Sequence, residues 1–299
     1  MKFAVTGGAG FIGSHIVKYL ISEGYQTVVI DNTFRGRMEN LEGVQDKIDF
    51  IKMDILDDEK LRKNLQDIDG VFHQAALTSV PESYEKEEQY KLVNVVGTEN
   101  IFKIAKEFSF KVVYASSSSV YGNTDKMPIS ENTERKPINP YGLTKLEDEL
   151  LAEKYATLGT KIIGLRYFNV YGKGQTLDYA GVITKFLENI KNNKHPVIFG
   201  DGLQSRDFVF VKDVAKANLS AMLSSVNHGF FNIGTGMIVT IKELAELMIK
   251  ISGKNLNLVF DKLPQGDVKS SQADVTLAKN HLDWEFETSL EEGLTTLFS

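Results

Sequence analysis

The stretch MKFAVTGGAGFIG, at positions 1 to 13, constrains the fold more than any other part of this sequence. A short β-rich run, KFAVTG, leads into glycines at positions 7, 8, 10 and 13, and a helical pattern then continues across Phe11 to Glu23. Glycine is required where a chain turns sharply from strand to helix, where backbone approaches a bulky anion, and where helix packs on strand. The start of that helix then turns its free N–H groups toward the anion. Two frames fit, Gly8-x-Gly10-x-x-Gly13 and Gly7-x-x-Gly10-x-x-Gly13, and either is weak by itself. Its setting between strand and helix strengthens it.

A second β-rich run, TVVID, ends in Asp31, 18 residues after Gly13. A carboxylate there accepts the ribose hydroxyls of a dinucleotide and repels a 2′-phosphate, which favours NAD over NADP. Arg35 nearby weakens that preference. Asp54, at the end of IDFIKMD, is placed either to bind an adenine amino group or to cap the end of a strand.

Further along, a helix is expected near Asp58 to Leu65 and a strand at GVFHQAA. Two long helical patterns follow, about Glu87 to Phe108 and Tyr141 to Leu158, each leading into an apolar run, KVVYASSS and KIIGLRYFNVYG. Strand and helix in alternation imply an α/β fold with a parallel sheet covered on both faces. The run Ser116 to Ser119 reads as a strand end between VVY and VYG. After Asn169 the rhythm becomes irregular, and loops such as GKGQTLDYAG and FGDGLQSRDF suggest a smaller lobe that builds a binding site.

Composition limits the partners. With 42% hydrophobic and 25% charged residues the chain of 299 is an ordinary globular one. Its formal charge is −6 with no basic block, which points away from nucleic acid and anionic membranes, so local groups must hold any anionic ligand. Glycines interrupt the apolar N-terminus and no apolar stretch reaches about 18 residues; a cytoplasmic protein is expected. There is no cysteine, and the five histidines form no His-x-x-x-His pair, so no metal site is expected. In NPYGLTK, Asn139 can cap a helix whose first turn holds Pro140. Tyr141 and Lys145 would then share a face about 5–6 Å apart. Alone, such a pair is more often an exposed phenol and a solvated ammonium.

The segments TGGAGFIGSH, DN at Asp31, HQAA at His73, YASSSSVYG, NPYGLTK, LRYFNVYG and QSRDFVFVKDVA stand in one order over almost the whole chain. Together they resemble the extended short-chain dehydrogenase/reductases of the NAD-dependent epimerase/dehydratase family, and within it the 4-epimerases of UDP-hexoses. The resemblance implies a Rossmann-type doubly wound parallel sheet over residues 1–168, with NAD tightly held. It also implies a smaller C-terminal α/β substrate lobe, mainly residues 169–299, with segments returning to the first domain. Cofactor contacts carry over to Gly7, Gly10, Phe11, Ile12, Gly13, Asp31, Asn32, Arg35, Gly36, Asp54 and Ile55, then to Gln74, Ala75, Ala76, Asn94, Ala115, Tyr141, Lys145 and Tyr167. Substrate contacts carry over to Ser79, Ser117, Tyr141, Asn169, Gln175, Val182, Phe199, Arg206 and Ser271. By the same resemblance the two long helices form a homodimer interface, Tyr141 is the catalytic base, Lys145 its electrostatic partner and Ser117 the third member. Tyr141 would take the O4 proton as the C4 hydride leaves for NAD, and the 4-keto sugar would turn over before the hydride returns.

The family's branches differ after Ser117. Its 4,6-dehydratases carry an Asp-Glu pair there and its UDP-glucuronate decarboxylases a glutamate just before VYG, whereas this chain has Ser118 and Ser119. That favours epimerisation. Arg206 matches a phosphate-binding arginine, although a surface ion pair with Asp207 or Asp213 is the alternative, and Phe199 lies where an aromatic packs beside uracil. One departure is Pro264, where epimerases often have arginine; Lys262 is the nearest substitute. Ser271 is small where a tyrosine would restrict the sugar's 2-position, so UDP-GlcNAc and UDP-GalNAc are expected beside UDP-Glc and UDP-Gal. UDP-glucuronate remains a third substrate class. A non-catalytic NAD-binding Rossmann protein is the alternative from another class.

Overall fold

The structure is a computed structural model and describes residues 1–175, 181–262 and 270–299. The first half runs β1 (Lys2–Thr6), α1 (Phe11–Ser22), β2 (Gln26–Asp31), β3 (Ile48–Lys52), α2 (Asp58–Leu65), β4 (Gly70–His73), α3 (Val80–Glu85), α4 (Glu87–Tyr90), α5 (Gly97–Phe108), β5 (Lys111–Ser117), α6 (Pro140–Thr157) and β6 (Ile162–Tyr167). The rest contributes β7 (Asn169–Tyr171), α7 (Val182–Lys191), β8 (Val197–Phe199), β9 (Ser205–Arg206), β10 (Phe208–Phe210), α8 (Val211–Leu223), β11 (His228–Ile233), β12 (Val239–Thr240), α9 (Ile241–Ser252), β13 (Val259–Asp261), α10 (Thr276–Leu282) and α11 (Leu290–Phe298).

Among the described residues, seven strands form one sheet in the order β11-β6-β5-β4-β1-β2-β3. Every neighbouring pair in it is parallel. The strands are apolar on both faces because both are covered. In β2, Val29 packs into a layer with Leu20 of α1 and Ala217 of α8, while Val28 and Ile30 face the layer holding Leu61 of α2 and Ile101 and Phe102 of α5. This is the two-residue period of a strand read from two cores at once.

Two elements depart from the sequence reading. Between α4 and α5 the helix widens to a π turn over Lys91–Val96, so the expected single α-helix from Glu87 to Phe108 is interrupted. The wider turn buries the Asn94 side chain and leaves Leu92 and Val96 exposed. The apolar run KIIGLRYFNVYG splits at Phe168. Its first part is β6, while β7 leaves the sheet and pairs in parallel with β10. Beyond it, Phe186, Ile198, Leu244, Met248 and Leu294 form a separate apolar cluster. Among the described residues no helix is long and apolar enough to cross a membrane.

Candidate active site

From β1 the chain steps outward to β2 and β3, and from β4 it steps the other way to β5 and β6. Such a reversal opens a crevice at the carboxyl ends of the strands. A cavity of about 810 Å³ lies there, lined by the loops after β1, β4, β5 and β6 and by residues of α7, β8, β9 and β10.

Glycine shapes one wall. Gly7 has φ +66°, and a Cβ there would lie 2.7 Å from Ala75 N; at Gly13 it would lie 2.1 Å from Gly7 O. The loop is thus pressed against the end of β4, with Gly7, Gly10, Phe11, Ile12 and Gly13 open to the cavity. Gly10 caps α1 without a side chain, so no side chain competes for the N–H groups of its first turn. Asp31 is buried at the end of β2 and does not line the cavity. Its Oδ2 accepts from Ala9 N at 3.0 Å and its Oδ1 from Thr33 N at 2.7 Å. Desolvation raises its pKa and these two N–H groups pull it back. A loop with no room for side chains beside an anchored carboxylate fits a dinucleotide with free ribose hydroxyls.

The NPYGLTK segment forms the helix its residues predict. Asn139 Oδ1 accepts from Gly142 N at 2.7 Å and Pro140 occupies the first turn of α6. Lys145 is only 3% exposed, which removes the solvated-ammonium alternative. Its Nζ donates to Asp148 Oδ2 at 3.1 Å. Tyr141, half-buried, Lys145 and Ser117 all line the cavity. Ser117, the last residue of β5, accepts from Ser119 N and donates to Ser119 Oγ, each at 3.1 Å. Asn94 Nδ2 reaches Thr144 Oγ1 and Leu77 O at 3.0 Å each, so the π turn ties α6 to the loop after β4.

The cavity is also lined by Arg35, Gln74, Ala76, Ser79, Ala115, Tyr167, Asn169, Gln175, Val182, Phe199 and Arg206. Other carried-over positions lie outside this lining. Asn32, Gly36, Asp54, Ile55, Ala75, Asn94 and Ser271, like Asp31, are not among the lining residues. Asn32 is exposed, whereas Asn94 is wholly buried. Gly36 lies against the Asp31 carboxylate, and Ile55 covers Gly97. Asp54 sits beyond β3 rather than ending it, and accepts from Leu56 N and Asn32 Nδ2 at 2.9 and 2.8 Å. Ser271 Oγ accepts from Asn169 Nδ2 at 3.3 Å. Asp207 takes the N–H groups of Thr235, Gly236 and Ala273, and Asp213 takes that of Thr288, so neither carboxylate depends on Arg206. Pro264 lies outside the described residues, and Lys262 is exposed away from the lining.

Sequence reasoning missed Lys185 of α7, Gln204 of the loop before β9 and Phe208 of β10, which all reach the cavity. It also assigned nothing to Asp148, or to Arg166, whose guanidinium meets both oxygens of buried Glu149 at 2.8 Å and the Tyr121 hydroxyl at 2.8 Å. Among the described lining residues four are cationic, Arg35, Lys145, Lys185 and Arg206, and none is aspartate or glutamate. Such a cavity suits anionic ligands and a reaction whose acid-base work falls to hydroxyls and an ammonium.

The model of the NAD dependent epimerase/dehydratase family matches residues 3–234. The chain belongs to that family. Among curated proteins, a putative UDP-glucose 4-epimerase of Methanocaldococcus jannaschii is 40% identical over 97% of this chain and 95% of its own length. Among solved structures, UDP-glucose 4-epimerase of Thermotoga maritima with UDP-glucose superposes with TM-score 0.95 at 38% identity, covering 100% of this chain and 97% of that one. UDP-N-acetylglucosamine 4-epimerase of Methanobrevibacter ruminantium, in complex with UDP-N-acetylmuramic acid, gives TM-score 0.95 at 37% identity, covering 99% and 96%. As a family member the chain is an NAD-dependent enzyme of the UDP-sugar epimerase/dehydratase group, with a Rossmann-type fold.

Proposed function

We propose that this chain is a UDP-hexose 4-epimerase that interconverts UDP-Glc with UDP-Gal and UDP-GlcNAc with UDP-GalNAc. The observation that carries the reading is the cavity wall around Ser117, Tyr141 and Lys145, which holds Ser119 and no carboxylate among its described residues, while position 118 in the sequence is also serine. Elimination of water needs a further acid and base; return of a hydride does not.

Residues 1–168 are assigned to the cofactor and 169–299 mainly to the UDP-sugar. Gly7, Gly10 and Gly13 would hold the NAD pyrophosphate, and Asp31 the adenosine ribose. Bound NAD supplies a reversible hydride acceptor at the sugar C4. The protein's part is proton transfer and orientation. Tyr141 takes the proton of the sugar O4 hydroxyl and returns it, Lys145 favours the phenolate that does so, and Ser117 turns its hydroxyl from Ser119 to steady O4. Arg206 and Asn169 would grip the diphosphate, leaving the 4-keto ring free to present its other face.

Incubating the purified protein with a panel of UDP-sugars and resolving the products tests the reading. Each of the two pairs named should equilibrate. Conversion of UDP-glucuronate alone would replace that reading with glucuronate 4-epimerisation, loss of water or carbon dioxide would replace it with a dehydratase or decarboxylase, and bound NAD with no conversion would leave a binding protein. Asp31→Ala should lower the NAD retained through purification, because the ribose hydroxyls lose their acceptor; wild-type occupancy, read from cofactor released on denaturation, would contradict the assignment.

We also infer a homodimer. Leu92 and Val96 on the π turn and Leu143 and Leu150 on α6 are exposed apolar side chains at helical spacings. Burying them against a second copy accounts for apolar surface that water would otherwise meet. Light scattering at micromolar concentration should give about twice the 33.4 kDa chain mass. A strictly monomeric protein would rule the interface out.

A further inference from the structure

Lys145 has a neighbour that the proposed reaction leaves unused. Asp148, three residues further along α6, is wholly buried, and its Oδ2 accepts from the Lys145 ammonium at 3.1 Å. Its Oδ1 has no hydrogen-bond partner among the described residues. An unmet oxygen on a buried carboxylate is costly unless the group carries a proton or performs a task.

Few groups face it. From α5 comes Thr98, whose hydroxyl is close enough to favour the ionised form, and from β5 comes Tyr114, buried with an unpartnered hydroxyl. On α6 itself stand Lys145, and Glu147 as a like charge. Beyond Thr98, from β4, lies His73. Ala75 N donates to Thr6 Oγ1 at 3.5 Å; the Thr6 hydroxyl then serves His73 Nδ1 at 2.7 Å, and His73 Nε2 serves Thr98 Oγ1 at 2.9 Å. Burial, reinforced by the field of Lys145, holds His73 down at about 3, so the imidazole stays neutral. The cation that answers Asp148 is therefore Lys145, the same one that faces the cavity beside Tyr141.

We propose that Asp148 is a positioning residue that pins Lys145 and sets how much of the ammonium's field reaches Tyr141. This rests on the epimerase reading for its meaning, but not for its test. Ionised, the carboxylate offsets the ammonium and makes the phenol harder to ionise; protonated, it returns the full field to Tyr141. Desolvation lifts Asp148 to about 7 against the pull of Lys145 and Thr98, so both forms are present near neutral pH. The sign follows directly. As pH rises through that value the carboxylate charge appears and opposes loss of the Tyr141 proton, so phenolate forms over a broader range than one proton alone gives.

Asp148→Asn keeps the volume and an oxygen for Lys145 while deleting the charge. Ultraviolet difference titration of tyrosinate in the holoprotein, each variant against its own Tyr141→Phe counterpart, reads the phenol without turnover. Tyr141 should titrate about one pH unit lower in Asp148→Asn, the scale of one close buried charge removed. The acid limb of kcat should move with it. In a Lys145→Ala background the same substitution should shift Tyr141 by clearly less, because only the carboxylate's own direct field on the phenol then remains. No shift, an equal shift with and without Lys145, or a uniform loss of kcat at every pH would overturn the proposal. Should Asp148→Asn not fold, the wild-type curve decides: a titration no broader than one proton's refutes the coupling. A protein that epimerises nothing but still shows the shift would sink the epimerase reading and keep this one.

Discussion

Tyr141→Phe is expected to fold and keep its cofactor while losing activity by at least about 10²-fold, the scale of a general base and about 2.7 kcal/mol of barrier. The substitution is local. No hydrogen bond of the Tyr141 hydroxyl to another described residue holds the fold together, and the backbone tie of α6 to α3, Tyr141 N to Ser83 Oγ at 3.2 Å, does not involve the ring. The cap on α6 rests on Asn139, and Lys145 remains pinned by Asp148. What disappears is a hydroxyl in a cavity whose described lining has no carboxylate to take its place. Turnover of UDP-Glc at the wild-type rate would mean that another group removes the O4 proton. Loss of both turnover and bound NAD would point to collapse of the site and not to chemistry.

The elements that were legible in the sequence are those whose cause is local. The glycine loop is legible because crowding at Gly7 and Gly13 excludes a side chain, and α6 because Asn139 and Pro140 set its start. Parallel strands were legible as apolar runs without alternation. The π turn was not, since Leu92, Asn94 and Val96 satisfy a helical period well enough, and the extra residue is stabilised by contacts from Leu77 and Thr144, far away in sequence. The split at Phe168 was hidden for a similar reason: β7 leaves the sheet because β10 pairs with it, and nothing in KIIGLRYFNVYG announces that partner. A motif names positions and not depth. Asp31 ends β2, Gly36 lies in the segment after it and Ala75 follows β4, and none of the three is among the lining residues. Buried charge was the least visible. Asp148 and Glu149 read as the polar face of an amphipathic helix, and only the sheet behind them, with Arg166 on β6 and Lys145 above, makes their burial possible.

Ser271→Tyr should separate the sugars. In the structure Ser271 does not line the cavity; its hydroxyl accepts from Asn169, which does, and its backbone N–H donates to Ser205 O at 3.2 Å, so the segment is fixed. A tyrosine anchored there would lose the Asn169 hydrogen bond and extend its ring past that amide into the space beside it. Overpacking a formed pocket typically costs about 1–3 kcal/mol, which is roughly 5- to 150-fold in selectivity. On the proposed reading the cost falls on UDP-GlcNAc and UDP-GalNAc, whose 2-acetamido group needs that space, while UDP-Glc and UDP-Gal keep most of their kcat/KM. Ser271→Ala is the control, because it breaks the bond to Asn169 without filling anything and should reduce both pairs alike. If tyrosine and alanine have the same effect, the position acts through Asn169 and not through volume. If the wild-type protein converts no N-acetylated sugar, the space beside Asn169 is already closed, and Ser271 does not set the choice of substrate.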